Sequence, residues 1–248
     1  MTSVADHFDR HVETYERTSA IQELVFTKLL SQVLNFSPSS ILDFGCGTGA
    51  GTYRLHQQFP DATIIGSDSS PKMSDYARQK YTDPSLTFCT TPLSALSGPF
   101  DLIISSSCLH WMPCLSQSFS EIYELMSPSS RMAVTLFGPG TYQELQTCIS
   151  AVLGTNSTIS STSFLGASEV FRISKKFWPT AQFKTVRIQT SFSSLLSLLR
   201  SIQRSGTTGY GIRPSIKLTK GRLQSLSNYY LDRYSHIKVT YQVFLIVV

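Results

Sequence analysis

Hydrophobic and polar positions along the first part of the chain predict strands separated by helices. Apolar side chains recur at helical spacing between residues 8 and 34, and short apolar runs farther along predict strands. This alternation predicts an α/β fold with a parallel sheet that helices cover on both faces. The predicted strands are 41–42, 63–66, 86–89, 100–105 and 131–137, and the predicted helices are 8–34, 50–58, 71–81 and 119–126.

The pattern changes after Gly138. Residues 154–168 are rich in Ser, Thr and Gly and predict a mobile loop, and residues 206–214 predict a second, glycine-rich loop. Helical spacing of apolar side chains and strand-like runs return on either side of these loops. The predicted helices are 141–153, 193–203 and 219–234, and the predicted strands are 183–192 and 238–248.

Composition narrows the class of protein. Of the 248 residues, 41% are hydrophobic and 15% are charged, which is enough apolar side chain for a sizeable core. No apolar run reaches the roughly 18 residues of a membrane helix, and residues 1–10 are too polar for a secretory signal. The five cysteines form no CxxC pair, so we expect neither a disulfide framework nor a metal site, and we expect a cytoplasmic location.

The net charge of +5 hides an asymmetry between two parts of the chain. Residues 1–169 contain 8 Lys and Arg against 15 Asp and Glu, whereas residues 170–248 contain 13 Lys and Arg against Asp232 alone. A basic last third predicts an anionic partner on one face of the molecule. Nucleic acid, an acidic protein and phosphates are the alternatives at this point.

The segment Asp43-Phe44-Gly45-Cys46-Gly47-Thr48-Gly49 directly follows a predicted strand. Three glycines at alternate positions let the backbone pass very close to a ligand, and the helix that follows offers free N–H groups. The spacing is neither GxGxxG nor that of a P-loop. Asp68 ends the second strand 25 residues after Asp43, where a carboxylate can accept both hydroxyls of a ribose.

This pattern resembles the class I S-adenosylmethionine-dependent methyltransferases. The resemblance implies a seven-stranded, mostly parallel sheet with helices on both faces, an antiparallel last strand and a helical cap or lid over the active site. It also implies S-adenosylmethionine as cofactor, with the glycine loop around its methionine part and Asp68 on its ribose. The expected contact residues are Asp43, Gly45, Cys46, Gly47, Gly49, Asp68, Ser69, Met73, Thr90, Thr91, Ser105 and Ser106.

Further segments are similar to the malonyl-acyl-carrier-protein O-methyltransferases of biotin synthesis, nearly from end to end. They are Phe8-Asp9-Arg10 with Tyr15 and Gln22, the segment 101–106 with Leu109-His110-Trp111, and the segments 137–145, 199–207, 218–220 and 240–244. The resemblance implies one methyltransferase domain over 1–248. Its expected parts are an N-terminal helical cap (1–35), a cofactor-binding half (36–137), and a substrate half (138–248) with a lid around 141–176 and 193–215.

The chain departs from that family at two places. The family carries an acid after the third strand that reads the adenine amino group, but Cys89-Thr90-Thr91-Pro92 contains none. A Thr hydroxyl or backbone groups must then contact the adenine amino group in place of that acid. Ser106 and His110 stand where the family often has Asn and Gln. We interpret His110 and Trp111 as wall or polar contacts, and Cys46 as packing within the glycine loop.

The implied reaction requires that the two reacting groups are positioned, and it needs neither a strong base nor a metal. A sulfonium methyl group is already activated, and a malonyl carboxylate is ionised at pH 7. The protein must align the carboxylate oxygen with the methyl group and exclude water. Arg200, on the expected lid helix, is the predicted carboxylate clamp, and Tyr15 is the predicted hydrogen-bond donor from the cap. The expected partner is an acidic acyl carrier protein with a malonyl thioester, or malonyl-coenzyme A, steered by Arg204, Arg213, Lys217, Lys220 and Arg222.

Three alternatives stay open. The first is a methyltransferase for another small molecule, which would share the sheet motifs. The second is a nucleic-acid methyltransferase, suggested by the isoelectric point near 9.0. It is disfavoured because Ser106-Ser107-Cys108-Leu109 lacks an Asn/Asp-Pro-Pro-aromatic motif and because Pro113-Cys114 lies too far beyond the fourth strand. The third is a non-catalytic binding protein on the same fold, which the missing acid near Thr90 favours slightly.

Overall fold

The computed structural model of the chain describes residues 4–10, 12–204, 212–213 and 218–248. Of the predicted glycine-rich loop 206–214, residues 206–211 and 214 lie outside the described residues, as do Lys217 and the side chains of Arg204 and Arg213. No described helix is both long enough and apolar enough to cross a lipid bilayer.

A seven-stranded sheet forms the centre of the molecule, in the order β3-β2-β1-β4-β5-β9-β7. The first five strands along the chain pair in parallel, and β9 is antiparallel to both β5 and β7. The expected antiparallel last strand is therefore confirmed. The strands are β1 (Ser40–Phe44), β2 (Thr63–Ser67), β3 (Leu86–Cys89), β4 (Phe100–Ser106), β5 (Met126–Phe137), β6 (Thr158–Ile159), β7 (Gln182–Phe192), β8 (Ile212–Arg213) and β9 (Ile237–Val247), of which β6 and β8 form a separate two-stranded ladder.

Helices cover both faces of the central sheet, as the alternating pattern predicts. One apolar core joins the sheet to α6 and α8, a second joins it to α3, α4 and α5, and a third joins β9 to α7, α9 and α10. Phe119, Leu55 and Leu198 mark the three cores, and none of these side chains is exposed. The helices are α1 (Val4–Asp9), α2 (Val12–Thr18), α3 (Ala20–Leu30), α4 (Ala50–Gln58), α5 (Pro71–Lys80), α6 (Leu115–Glu124), α7 (Gln143–Leu153), α8 (Ala167–Phe177), α9 (Leu195–Arg204) and α10 (Lys220–Tyr234).

The prediction that residues 8–34 are mostly helical is confirmed, and the chain divides this region among three helices. Arg10 Nε donates to the Asp6 carbonyl and helps to end α1. Ser19 is buried, its Oγ donates to the Glu16 carbonyl, and its own carbonyl accepts the Glu23 N–H that opens α3. After these breaks, α1 and α2 both pack against α5, and α2 also contacts α9.

The mobile loop expected over 154–168 is wrong in part. This segment contains β6, a short 3-10 helix (Ser160–Ser163) and the first two residues of α8. Gln146 of α7 secures it, because its side chain accepts from Ile159 N–H at 2.8 Å and donates to the Ser157 carbonyl at 2.9 Å. The hydroxyl of Ser161 donates to the Thr141 carbonyl at 2.6 Å. Side-chain amide and hydroxyl groups thus hold a segment whose composition is typical of a loop.

Candidate functional site

The site residues gather at the carboxyl ends of the central strands. The sheet order places β1 between β2 and β4, so the chain reverses its direction of travel across the sheet at β1. Ligands of open α/β sheets bind in the crevice at such a switch point. The glycine loop follows β1, Asp68 follows β2, Thr90 follows β3 and Ser106 ends β4.

The glycine loop requires glycine for two separate reasons. Gly45, Gly47 and Gly49 have φ of 78°, 54° and 79°, a region that other residues rarely adopt. A Cβ on Gly45 would also lie 2.3 Å from the Sγ of Cys108. The N–H groups of Gly45 and Cys46 both donate to the Ser67 carbonyl, at 2.7 and 3.1 Å, and so attach the loop to the end of β2.

Asp68 connects the glycine loop to the next helix. Its Oδ2 accepts from Gly47 N–H at 2.9 Å, and its Oδ1 accepts from Ser70 N–H at 2.9 Å. Burial raises the pKa of Asp68, although these two backbone hydrogen bonds act in the opposite direction. The carboxylate thus stands where the loop and the start of α5 meet, and it lines the larger of the two cavities described below.

Asp43 lies one residue before the end of β1 and is only 2% exposed. Thr52 of α4 donates its hydroxyl to Asp43 Oδ2 at 2.7 Å. Burial raises the pKa of Asp43 to about 7, the Thr52 hydrogen bond lowers it, and the charge of Asp68 raises it further. The side chain therefore anchors α4 to the sheet and lies close to its protonation midpoint at neutral pH.

Two cavities flank the glycine loop, and Gly45 lines both of them. The larger, of about 350 Å³, is lined by Asp68, Ser69, Thr90 and Thr91, which were all predicted. Its volume lies within the range of small-molecule sites. The smaller, of about 60 Å³, is lined by residues from the cap and the loop, namely Tyr15, Ser19, Gln22, Glu23, Phe26, Asp43, Gly45, Cys46, Gly47, Thr48, Ala50, Gly51 and Ser106.

Sequence reasoning missed the wall that α6 supplies. Gln117 and Glu121 line the larger cavity opposite Thr90 and Thr91, and Gln117 Nε2 donates to Glu121 Oε1 at 3.0 Å. No motif marks these two residues, and only the spacing of one helical turn indicates a shared face. Three of the predicted cofactor residues, Gly49, Met73 and Ser105, are buried and line neither cavity.

The N-terminal helices close one side of the site. Asp9 Oδ1 accepts from Ser70 Oγ and from Lys72 N–H at the start of α5. Phe8 packs edge-on against Tyr15 and Trp111, with ring centroids 6.0 and 6.5 Å apart. These contacts place a helical cap over the glycine loop, as expected.

Tyr15 reaches the glycine loop, whereas Arg200 does not. Tyr15 Cε1 lies 3.8 Å from the point where a Cβ on Gly47 would stand. Burial, followed by the charge of Asp68, raises the pKa of the Tyr15 phenol, so the group stays protonated. Arg200 is exposed on α9 and lies in the lining of neither cavity.

Comparisons with known proteins agree with this geometry. Residues 41–129 match the family model for a methyltransferase domain. Bacillus subtilis YcgJ superposes with a TM-score of 0.60 at 14% identity, covering 89% of this chain and 97% of that one. The chain has the fold of the class I methyltransferases. Haemonchus contortus phosphoethanolamine N-methyltransferase 2, solved with S-adenosylhomocysteine, shares this fold with a TM-score of 0.60 at 17% identity, covering 100% of this chain and 60% of that one.

Several curated relatives share one enzyme name, which is more specific than the shared fold. A malonyl-[acyl-carrier protein] O-methyltransferase of Legionella pneumophila is 32% identical over 154 residues, which are 60% of this chain and 54% of that protein. An enzyme of the same name from Ilyobacter polytropus is 25% identical over 235 residues, which are 93% of this chain and 87% of that protein. In the first of these comparisons the chain spans about half the length of its relative.

The described residues suit the cofactor that the sequence pattern implies. A ligand that crosses the glycine loop would contact both cavities, because Gly45 lines each of them and has no room for a Cβ. Asp68, Ser69, Thr90 and Thr91 on one side could hold a nucleoside, and Tyr15, Asp43, Gly47 and Ser106 on the other could hold an amino-acid part with its sulfonium. The site therefore fits an elongated, partly cationic cofactor.

Proposed function

We propose that the chain is an S-adenosylmethionine-dependent O-methyltransferase that esterifies the free carboxylate of a malonyl thioester for biotin synthesis. The observation that carries the proposal is the enclosed junction of Asp68, the glycine loop and Tyr15. The names of the malonyl-[acyl-carrier protein] relatives support the substrate. We further propose that the thioester handle is an acidic acyl carrier protein, with malonyl-coenzyme A as a second handle, and that the enzyme works in the cytoplasm.

The residues of the site would act by positioning and by excluding water. The cofactor supplies an activated methyl group, so a carboxylate oxygen that is already ionised needs no base. Tyr15 keeps its proton and can donate a hydrogen bond that orients this carboxylate. Phe8 and Trp111 cover the same side with apolar rings, which keeps water from solvating the nucleophile.

Arg200 is proposed to pair with the substrate carboxylate from the open side. It lies on α9, which packs against α2, the helix that carries Tyr15. Because a guanidinium binds a carboxylate through two parallel hydrogen bonds, Arg200→Lys would rescue little of the activity lost in Arg200→Ala. If both variants keep the wild-type KM, Arg200 is an ordinary surface residue.

We propose that Glu121 replaces the acid that is missing near Thr90. Glu121 is half-buried on α6 and lines the same cavity as Thr90 and Thr91. A carboxylate there can accept a hydrogen bond from the amino group of adenine. Glu121→Gln should weaken binding of S-adenosylhomocysteine by roughly ten-fold in calorimetry, since a hydrogen bond to a charged carboxylate is replaced by a weaker one to a neutral amide oxygen. Glu124→Gln, exposed at the end of the same helix, is the control and should leave affinity unchanged.

The deciding experiment is a mass-spectrometric assay with S-adenosylmethionine and malonyl-acyl carrier protein, with malonyl-coenzyme A in parallel. We expect the malonyl group to gain one methyl. Asp68→Asn should reduce this transfer by weakening cofactor binding, and Asp75→Asn, exposed on α5, should not. Wild-type protein that binds S-adenosylhomocysteine but methylates neither thioester would contradict the proposed substrate.

A second candidate is a methyltransferase for a different carboxylate. A trans-aconitate 2-methyltransferase of Deinococcus radiodurans is 38% identical over 96 residues, which are 39% of this chain. Trans-aconitate also presents an ionised carboxylate, so the same positioning chemistry would serve. Including trans-aconitate in the assay distinguishes the two substrates, and methyl transfer to it alone would favour this candidate.

A further inference from the structure

A third, very small cavity lies beside the candidate site. Its volume is about 20 Å³, close to the space that one water-sized group occupies. Gln22 of α3 lines this cavity and also the smaller cavity at the glycine loop, so the two cavities are neighbours. The other lining residues are Ile21, His110, Trp111, Phe137, Thr141, Tyr142, Ser160, Ser161, Phe164 and Tyr241. We call it the His110 cavity.

Aromatic rings fix the position of His110. It lies in a short 3-10 helix (Leu109–Trp111) directly after β4. Phe137 and Phe164 pack edge-on against its imidazole, with centroids 5.1 and 4.8 Å away, and Trp111 is tilted against it at 4.9 Å. The ring therefore has little freedom to turn away from the cavity.

The hydrogen bonds of His110 determine which nitrogen carries its proton. Nδ1 accepts from Phe137 N–H at 3.4 Å, so in the neutral ring the proton is on Nε2. Burial lowers the pKa of His110 to about 3, which keeps the imidazole neutral at physiological pH. The structure thus presents an uncharged Nε2–H donor.

Two residues that line this cavity each carry a buried polar side-chain atom that has no hydrogen-bond partner among the described residues. These atoms are His110 Nε2 and Gln22 Oε1. Leaving a buried donor or acceptor unpaired costs about 1–3 kcal/mol, so such atoms are rarely kept without a purpose. Rotation of the Gln22 amide about its last bond can present its oxygen or its NH₂ group.

We propose that His110 and Gln22 form a subsite for the carbonyl oxygen of the methyl-accepting thioester. His110 Nε2–H would donate to this oxygen while the carboxylate lies beside Tyr15, and the inference rests on the proposed function. A malonyl thioester carries its carboxylate and its carbonyl on one shared methylene, so it needs two oxygen sites close together. Gln22, which lines both cavities, stands between them.

A neutral donor suits this chemistry better than a cation would. The carboxylate oxygen would bond to the methyl carbon as the bond between that carbon and the sulfonium sulfur breaks, the electron pair would stay on that sulfur, the thioester would stay intact, and no proton would move. An imidazolium at the carbonyl would draw negative charge away from the attacking carboxylate. An uncharged Nε2–H can fix the acyl group and leave the carboxylate nucleophilic.

The test compares His110→Phe, which removes the donor, with His110→Gln, which restores an amide N–H. With malonyl-acyl carrier protein, His110→Phe should raise KM roughly ten-fold, as expected for the loss of one hydrogen bond. His110→Gln should recover most of that loss. The Kd for S-adenosylhomocysteine should stay at the wild-type value in both variants. His236→Gln, exposed before β9, is the matched control and should change nothing.

The outcomes separate this inference from the proposed function. Wild-type protein that binds S-adenosylhomocysteine but does not methylate the malonyl thioester would refute the proposed function, and the subsite would fall with it. Active wild-type protein together with an unchanged KM in His110→Phe would show that His110 only packs.

If His110→Phe fails to fold, ¹⁵N NMR of the His110 imidazole in the wild-type protein tests whether this ring contacts the substrate. A shift of the His110 Nε2 resonance when malonyl-acyl carrier protein is added to the S-adenosylhomocysteine complex supports the subsite. An unchanged resonance overturns it.

Discussion

At the scale of single residues, the site combines desolvated carboxylates with a loop that needs glycine at three positions, and the desolvation weighs against stability. Burial raises the pKa of both Asp43 and Asp68, and the charge of Asp68 raises that of Asp43 further. The loop between them contains three glycines with positive φ. Function explains this arrangement better than packing does, because an apolar side chain in place of Asp43 would avoid the cost of desolvating a charge.

The first prediction concerns the pH dependence of unfolding. The pKa of Asp43 is about 7 in the folded protein, whereas an unfolded Asp titrates near about 3.9. The native state therefore binds the proton more tightly, and stability that is fully present below pH ~4 is lost as the pH rises through about 7. Asp43→Asn should remove this part of the slope, at most about 4 kcal/mol.

Urea unfolding between pH 4 and 8 measures this slope. Asp75→Asn, an exposed carboxylate on α5, is the control, and its unfolding should follow the wild-type pH dependence. An Asp43→Asn protein that loses stability with pH as steeply as the wild type would mean that Asp43 titrates normally.

The second prediction concerns the glycine loop. Gly45→Ala places a Cβ 2.3 Å from Cys108 Sγ at a φ of 78°, so we expect a loss of about 2–3 kcal/mol in unfolding free energy. Gly221→Ala is the matched control. It lies in α10 with nothing within 4 Å of the new Cβ, and should stabilise by about 0.5–1 kcal/mol. Equal effects of the two changes would contradict the close approach.

At the scale of elements, α7 is held to the sheet by one buried carboxylate. Glu144 accepts from Thr240 N–H at 2.9 Å and from Thr240 Oγ1 at 2.6 Å, and it is 3% exposed. Glu144→Ala should cost about 2–4 kcal/mol, because the Thr240 donors of β9 would stay buried and unpaired. Gln143→Ala, exposed on the same helix, should cost little. A double-mutant cycle with Thr240→Val measures the coupling, and a value near zero would mean that α7 docks through its apolar side chains alone.

The pattern of apolar positions predicted helices and strands correctly in segments where either the helical or the strand periodicity clearly dominates. The strands near Asp43 and Asp68 were recognised because short apolar runs end in residues that stop a strand. The helix α8 was missed because its buried Val170 and Ile173 alternate with Lys and Arg and follow a Ser-rich segment. The break at Ser19 carries a sequence signal that was not used, because Ser is a preferred N-cap residue and Ser19 is the N-cap of α3.

The candidate site was predictable where its residues follow strands in sequence or, as for Tyr15, belong to a segment that resembles a known family. The glycine loop and Asp68 were recognised from the alternate glycines after a predicted strand and from the 25 residues that separate Asp43 from Asp68. Glu121 reaches the larger cavity because α6 packs beside the crevice, and this depends on the assembled sheet. The distant pair Gln22 and His110 meets only after the N-terminal cap folds over β4.

At the scale of the whole molecule, the charges divide along the chain. Residues 1–169 carry seven more acidic than basic residues, and residues 170–248 carry twelve more basic than acidic residues. Lys220 and Arg222 are exposed in the first turn of α10, within the basic part. A positive surface of this kind raises the encounter rate with an acidic partner and loses its influence as salt screens it.

The last prediction tests this steering. Replacing Lys220 and Arg222 with Gln should raise KM for malonyl-acyl carrier protein about three- to ten-fold at low salt, because fewer positive charges attract the carrier. The difference should disappear near 0.5 M salt, where charges more than a few ångströms apart are screened. S-malonyl-N-acetylcysteamine, whose handle is uncharged, should be methylated equally well by both proteins. Lys28→Gln, exposed on α3 in the acidic part, is the control. A low-salt KM that does not change would mean that the carrier docks elsewhere, and the asymmetry would then serve no role in substrate capture.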